Sequence, residues 1–215
     1  MVGENKTRLF VFDKALLLSL LQQLSKKERS AFAAACAHRL LPFYQAFSMR
    51  AGRGNPKELS DLLERLWDDL TEAPMSETEL TARIQTCMIL IPREDDGPWI
   101  FEQRLGDDAA TAVAYALRCR KNGLAQEAAW AAERAYEAVM YFCQKADLSG
   151  QQRNPRLVTR SQAQVEIRRR TEEPIVQNEL RRQQRDLEEL LNKEVPLAHL
   201  RERSAAQDAR NAIPE

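Results

Sequence analysis

The sequence predicts an all-α fold, in which a single compact multi-helix domain carries a C-terminal helical extension. Apolar residues recur every three or four positions along most of the 215-residue chain, which is the period of an α-helix. The seven glycines and nine prolines mostly stand between these periodic segments, where they end helices. From Phe32 to Ala37 no polar residue interrupts the apolar run. A helix that is apolar around most of its circumference lies in the middle of a fold, so we expect this helix to be central.

Capping residues mark where several helices begin. Ser25 and Glu28 form a capping box before the central helix, because the Ser25 hydroxyl can accept the Glu28 amide proton while the Glu28 carboxylate accepts the Ser25 amide proton. Three further residues precede periodic segments and are predicted to cap them: Asp13, Asn55 and Ser76. Pro42 and Pro92 are predicted to end or bend helices, and Gly123 suits the left-handed position that closes one.

Residues 92–108 break the helical periodicity and are predicted to form the one long irregular loop. Asp107 or Asp108 is expected to cap the helix that follows. The candidate partner-binding residues are acids and aromatic side chains of this loop: Glu94, Asp95, Asp96, Trp99, Phe101, Asp107 and Asp108. Aromatic side chains rimmed by charge are typical of an interaction hot spot. The alternative, which we favour, is that the aromatic side chains turn inward and fill a gap between helices while the acids remain in solvent.

The C-terminal third is predicted to contain a connector, a helix and a tail. The connector spans residues 148–173, and apolar and polar residues alternate within it at 163–168, which is the period of a strand. Because no second strand is available for pairing, an extended or weakly helical segment is favoured there. A helix then completes the domain, which is predicted to span residues 1–193, and residues 194–215 are predicted to form a polar tail.

Charge and hydropathy argue against several classes of function. Lys plus Arg equals Asp plus Glu at 32 each, so no overall field attracts nucleic acid or an anionic membrane. The arginine clusters at 168–170 and 181–185 are interleaved with acids, which argues against a nucleic-acid site. No window approaches the about 20 apolar residues of a membrane span, and no signal peptide is recognisable. We therefore expect a cytoplasmic protein with no membrane segment.

Residues that could carry catalysis or bind a metal are sparse. Four cysteines lie far apart in apolar stretches and lack the spacing of a metal site, so we expect reduced core cysteines. Cys36 and His38 stand two positions apart and point to different sides of their helix. His38 is expected to interact favourably with the dipole at the end of its helix, and His199 lies in the predicted tail. The sequence thus predicts no metal, no cofactor and no enzymatic activity.

Several landmarks occur in an order that resembles a known bacterial family. They are Glu28 to Phe32, Ala37 to Tyr44, Phe47, Leu66 to Leu70, Ile91-Pro92, Asp107 to Arg118 and Pro174 to Glu179. Over residues 20–193 the pattern resembles the YjaG-like proteins, whose domain is number 416 of the unknown-function series, and this chain looks like a divergent member. The resemblance implies a compact all-α domain with no assigned enzymatic activity. Arg39 is expected to interact with the helix dipole as His38 does. The resemblance adds a second role, in which Arg39 anchors the loop after Pro42 by bonding to carbonyls.

Three classes of function stay open. The leading hypothesis is a non-enzymatic protein that binds another protein, most concretely a cytosolic immunity or antitoxin-like protein that blocks a partner effector. The second is a housekeeping helical scaffold or regulator that binds protein or nucleic acid. The third is an enzyme whose site the sequence does not reveal. A toxin-like domain encoded by the neighbouring reading frame would favour the first.

Overall fold

The computed structural model describes residues 9–150 and 160–206, and for residues 145–150 and 160–163 it describes the backbone alone. Within these ranges the chain is helical and contains no strand, which confirms the all-α prediction. The helices are α1 (Lys14–Leu21), α2 (Lys26–His38), α3 (Leu41–Ala51), α4 (Pro56–Thr71), α5 (Glu77–Leu90), α6 (Phe101–Asn122), α7 (Ala125–Gly150), α8 (Arg160–Thr171), α9 (Pro174–Asn192) and α10 (Leu197–Ala206). A 3₁₀ turn at Glu94–Asp96 precedes α6.

The predicted capping residues lie where the helices begin. The Ser25 hydroxyl accepts the Glu28 amide proton and the Ser25 amide donates to Glu28 Oε2 at 2.8 Å, so the predicted capping box is complete. The side chains of three other residues each accept an amide proton from the first turn of their helix: Asp13, Asn55 and Ser76. At Ser76 the reciprocal hydrogen bond that would complete a capping box with Glu79 does not form, because the carboxylate of Glu79 accepts from Arg65 and Arg83 instead.

Helix α2 is central, as predicted. Every residue from Ser30 to His38 is buried, with at most 5% of any of them exposed. α2 packs against α4, α6, α7, α9 and α10. Because its neighbours cover nearly its whole circumference, the helix has no side on which a polar stripe would reach solvent.

Small residues let the central helices approach closely. Buried alanines on α6 and α7 include Ala109, Ala110, Ala112, Ala128, Ala131 and Ala132. Gly106 marks a close approach of α6 to α3, because a Cβ at this position would lie only 2.7 to 2.9 Å from Phe47 carbons. Glycine is therefore required here by packing, although the helix continues through it.

Helix occupies most of the predicted connector. α7 continues to Gly150 and α8 spans Arg160–Thr171, while residues 151–159 lie outside the described part of the chain. Residues 163–168, for which an extended or weakly helical conformation is predicted, thus form part of a regular helix.

Charge pairs explain why the alternating segment is helical. Glu166 accepts hydrogen bonds at 3.0 Å from both Arg169 and Arg170, which lie three and four positions later on the same side of the helix. The side chains of Val165 and Ile167 are exposed, so the alternation of apolar and polar residues does not reflect burial.

The predicted polar tail contains a packed helix. α10 lies against α2 and α4 and buries Leu200 and Ser204. The tail prediction for residues 194–215 is therefore wrong for residues 197–206, and residues 207–215 lie outside the described chain. Among the described helices, none combines the length and apolarity that crossing a bilayer requires.

Candidate functional site

The irregular loop is shorter than the predicted span 92–108, because α6 already begins at Phe101. Between α5 and α6, every residue from Arg93 to Trp99 is exposed. We call residues 93–99 the exposed loop. It contains four of the predicted site residues: Glu94, Asp95, Asp96 and Trp99.

The side chains of Arg53 and Gln103 hydrogen-bond to the backbone of the exposed loop. Arg53, in the connection between α3 and α4, donates from Nη1 to the Asp96 carbonyl at 2.7 Å and from Nη2 to Gln103 Oε1 at 3.1 Å. Gln103 Nε2 donates to the Arg93 carbonyl, and the Arg93 amide donates to Asp96 Oδ2, both at 2.8 Å. The loop is therefore exposed but anchored to two other parts of the fold.

Gly97 permits this anchoring. Its φ of +146° and ψ of −172° lie in a region that glycine alone occupies without strain. A Cβ at this position would also collide with Arg53 Nη1, the atom that holds the Asp96 carbonyl. The conformation of the loop thus depends on having glycine at position 97.

The side chains after the acids point to different sides. Phe101 is half-buried and stacks on Tyr141, with ring centroids 4.4 Å apart and an interplanar angle of 12°. Ile100 is half-buried against the core. Trp99, in contrast, remains 67% exposed. The inward orientation favoured from sequence therefore describes Phe101 but not Trp99.

The two free carboxylates of the exposed loop are those of Glu94 and Asp95. Neither forms a hydrogen bond or an ion pair with any described residue, whereas Asp96 accepts the Arg93 amide. Asp96 thus stabilises the loop, and Glu94 and Asp95 leave negative charge available at its surface.

Asp107 and Asp108 do not belong to this surface, which corrects the prediction for both. They lie inside α6 and cap nothing. Asp108 is fully buried, where its carboxylate accepts from Arg104 at 3.2 Å and from Arg134 at 3.0 Å. Burial raises the pKa of Asp108, although the two arginines act in the opposite direction. Asp107 is half-buried and accepts a hydrogen bond from the Thr111 hydroxyl.

A buried ion cluster joins the end of α2 to α9. Arg39, 5% exposed, donates to both carboxylate oxygens of Glu179 and to Asp186 Oδ2, each at 2.9 Å. These carboxylates outweigh the cost of burying the guanidinium and hold the pKa of Arg39 above its ordinary value. The implied role of Arg39 in holding carbonyls after Pro42 is therefore wrong, because its partners are carboxylates of α9.

Sequence reasoning missed this cluster, although a signal for it exists. Glu179, Gln183 and Asp186 recur at helical spacing on the same buried side of α9 as Val176 and Leu187. Polar residues within an otherwise apolar stripe indicate a buried partner of opposite charge.

Two polar side chains, from α10 and α4, approach the His38 ring of α2. Ser204 Oγ on α10 lies 3.4 Å from His38 Nδ1, and Glu64 Oε1 on α4 lies 3.7 Å from Nε2. Serine, histidine and a carboxylate are also the groups of hydrolytic triads. Here Ser204 is 1% exposed and its hydroxyl donates to the Arg201 carbonyl at 2.8 Å, so this arrangement presents no nucleophile to a substrate.

Burial lowers the pKa of His38 to about 4, with Arg201 and Arg39 acting in the same direction and Glu64 opposing them. The imidazole is therefore neutral at pH 7. The predicted charge interaction of His38 with the helix dipole is wrong for this reason, since that interaction requires a protonated ring.

The cysteines are free thiols within the fold. Cys36, Cys87 and Cys119 are fully buried and Cys143 is half-buried. Burial raises the pKa of the Cys87 thiol to about 12 and that of Cys119 to about 11, so both are protonated at pH 7. Across residues 9–150 and 160–206, no three histidine, cysteine or acidic side chains converge as metal ligands would.

Comparison with known proteins identifies the family but no activity. A family model described as Protein of unknown function (DUF416) matches residues 17–212, which is most of the chain. The chain belongs to the DUF416 family. A crystal structure of a DUF416 family protein from Shewanella baltica OS155 shares the fold, with a TM-score of 0.69 at 20% sequence identity, over 88% of this chain and 93% of that one. No curated protein matches the chain.

The DUF416 match confirms the family resemblance and extends it. The resemblance was carried by residues 20–193, whereas the family model continues to residue 212 and so includes α10. This extent agrees with the packing of α10 against the central helix, because Ser204 and Leu200 are buried with the rest of the DUF416 core.

Proposed function

We propose that this protein acts by binding another protein through the exposed loop, without catalysing a reaction. The observation that carries the proposal is a tryptophan, 67% exposed, in a loop whose backbone carbonyls accept hydrogen bonds from Arg53 and Gln103. A large apolar side chain in solvent contributes no burial to the fold, whereas tryptophan is among the residues that contribute most to protein interfaces.

The anchoring of the loop favours binding. A mobile loop loses conformational freedom when a partner binds, and this loss weakens the complex. Arg53 and Gln103 already hold the exposed loop through its carbonyls at Arg93 and Asp96, so most of that loss occurs during folding. Trp99 thus stands three residues after the anchored Asp96 carbonyl.

The unpaired carboxylates of Glu94 and Asp95 favour a partner with a basic surface. Opposite charges accelerate encounter between proteins, and the acceleration falls as salt screens the charges. Effectors that act on nucleic acid carry such basic surfaces. The most concrete form of the proposal is therefore a cytosolic protein of the immunity or antitoxin type, which covers and blocks the basic surface of an effector.

The probe for this proposal is the purified product of the neighbouring reading frame. Association and dissociation rates are measured by surface plasmon resonance at about 50 mM and about 300 mM salt. For the Glu94→Gln, Asp95→Asn double variant we expect association to slow several-fold at low salt and to match the wild type at high salt. For Trp99→Ala we expect faster dissociation and an affinity about 30-fold weaker, the effect of an interface residue worth about 2 kcal/mol.

Matched controls lie elsewhere on the surface. Glu72→Gln with Glu202→Gln removes the same charge from exposed acids outside the loop, and Leu124→Ala truncates an exposed apolar side chain. If the loop variants associate and dissociate at the rates of the wild type, the exposed loop is not part of the interface. A neighbouring product that does not bind at micromolar concentration would overturn the immunity-type function, and tight binding of an oligonucleotide in its place would favour the regulator alternative.

A further inference from the structure

One face of α9 concentrates positive charge around a small pocket. Asn178, Arg181, Arg182 and Arg185 recur at intervals of three and four residues, which places them on the same side of the helix. Together they line a pocket of about 260 Å³. We call it the arginine pocket.

The arginines of this pocket are incompletely paired. Arg182 forms no hydrogen bond or ion pair with any described residue. Arg185 Nη2 lies 3.8 Å from Asp186 Oδ1, beyond hydrogen-bond distance, and its Nε and Nη2 are shielded from solvent without a hydrogen-bond partner among the described residues. Arg181 donates to Asn178 Oδ1 at 2.7 Å and its guanidinium lies over the Phe10 ring, 5.6 Å from the ring centroid, so it has no anionic partner among the described residues.

Nearby carboxylates do not neutralise the pocket, because other groups already use them. Both oxygens of Glu179 accept from Arg39, and one also accepts from Gln183. Asp186 accepts from Arg39 on one oxygen and from Arg203 on the other. The acids beside the pocket thus serve mainly the buried cluster, and the long ion pair between Arg185 and Asp186 offsets only part of the positive charge of the three guanidinium groups.

Electrostatics supports the same conclusion for Arg182. Partial burial lowers its pKa below the ordinary arginine value, and the neighbouring charges of Arg39 and Arg185 lower it further, while Glu179 and Asp186 act in the opposite direction. A bound anion would relieve the repulsion among these guanidinium groups.

We propose that the arginine pocket binds a phosphate monoester of a small molecule. Guanidinium groups present several donors in a plane and bind the oxygens of phosphates and carboxylates in pairs, and three guanidinium groups attract a phosphate dianion more strongly than a carboxylate with a single charge. Three arginines line the pocket, and the described basic side chains of α8 do not extend it. There Arg168 pairs with Glu172, and Arg169 pairs with Glu166 and Glu173, so no continuous track for a nucleic-acid backbone forms.

The proposal is tested by isothermal titration calorimetry of the full chain. The probes are inorganic phosphate, glycerol 3-phosphate, acetate and a single-stranded thymidine oligonucleotide, all at one ionic strength. We expect binding of one equivalent of glycerol 3-phosphate and of phosphate, and no binding of acetate. Arg182→Gln and Arg185→Gln should each weaken phosphate binding about tenfold or more, since each removes charge-assisted hydrogen bonds.

The control variant is Arg168→Gln, which removes an exposed arginine from α8 and should leave the phosphate affinity unchanged. Arg182→Gln breaks no hydrogen bond, so its thermal midpoint without phosphate should be at or above that of the wild type, which separates a lost site from a lost fold. Equal affinity of wild type and both pocket variants for phosphate, or no binding by the wild type, would overturn the proposal. Tighter binding of the oligonucleotide than of the monoester would also overturn it, in favour of a nucleic-acid surface.

Discussion

His38 should make the protein less stable as the pH falls from about 6.5 to about 4. Its pKa is 6.5 in a solvated chain and about 4 in the fold, mainly because of burial. Between these values the unfolded chain binds a proton that the folded protein does not bind, so acidification favours unfolding. One pKa unit corresponds to about 1.4 kcal/mol, so the complete effect is about 3 kcal/mol. About 2 kcal/mol of it is lost between pH 7.5 and pH 5.

The readout is the free energy of unfolding in urea at these two pH values, for the wild type and for His38→Gln. Glutamine does not titrate, so the variant should lose about 2 kcal/mol less than the wild type on acidification. His199, the other histidine, is exposed, and His199→Gln should follow the wild type. Asp108 and Glu127, whose pKa values are raised by burial, are present in all three proteins and cancel in the comparison. If the wild type and His38→Gln change in parallel, the imidazole is not held neutral.

Two further predictions concern the stability of the core. Phe32→Ala should lower the free energy of unfolding by about 3–5 kcal/mol, because Phe32 is fully buried in α2 and its removal leaves a cavity. An unchanged melting temperature would show that α2 is peripheral. Arg39→Met should cost about 3–5 kcal/mol in urea unfolding, because Glu179 loses its hydrogen-bonded guanidinium partner inside the protein and Asp186 loses one of its two hydrogen-bonded guanidinium partners. A cost near zero at pH 7 would mean that these carboxylates reach solvent.

Helix boundaries followed from the sequence wherever a local signal decided them. The Ser25 capping box and the left-handed Gly123 each depend on residues within one or two turns, and the structure shows both. The central position of α2 was also predicted correctly, from its unbroken apolar run. In the structure each residue from Ser30 to His38 is buried, because neighbouring helices pack around α2.

The end of the loop was predicted wrongly because Gly106 is compatible with two structures, a helix start or a close contact inside a helix. Gly106 next to two aspartates is typical of a helix start, but its actual role is to let Phe47 of α3 contact the backbone of α6. The misplaced boundary then assigned Asp107 and Asp108 to the loop. Only the packing of α3 on α6 distinguishes the two interpretations, and that packing lies between residues far apart in the chain.

The buried polar groups of the C-terminal helices explain where the folding unit ends. The last two residues of the central helical segment, His38 and Arg39, take their partners from α10 and α9, 166 and 140 residues further along the chain. A chain that ended at residue 193 would leave His38 without Ser204 and would remove Arg203 from Asp186. The loss would therefore affect the surroundings of His38 and the buried ion cluster of Arg39 together. Because His38 and Asp186 would lose these partners, and because Leu200 of α10 is buried where α10 packs on α2 and α4, α10 is part of the domain rather than an appended tail. The arginine pocket on α9 is then placed on a helix that is fixed from two sides, through Arg39 directly after α2 and Arg203 on α10. A rigid support of this kind favours the selective recognition of one anion.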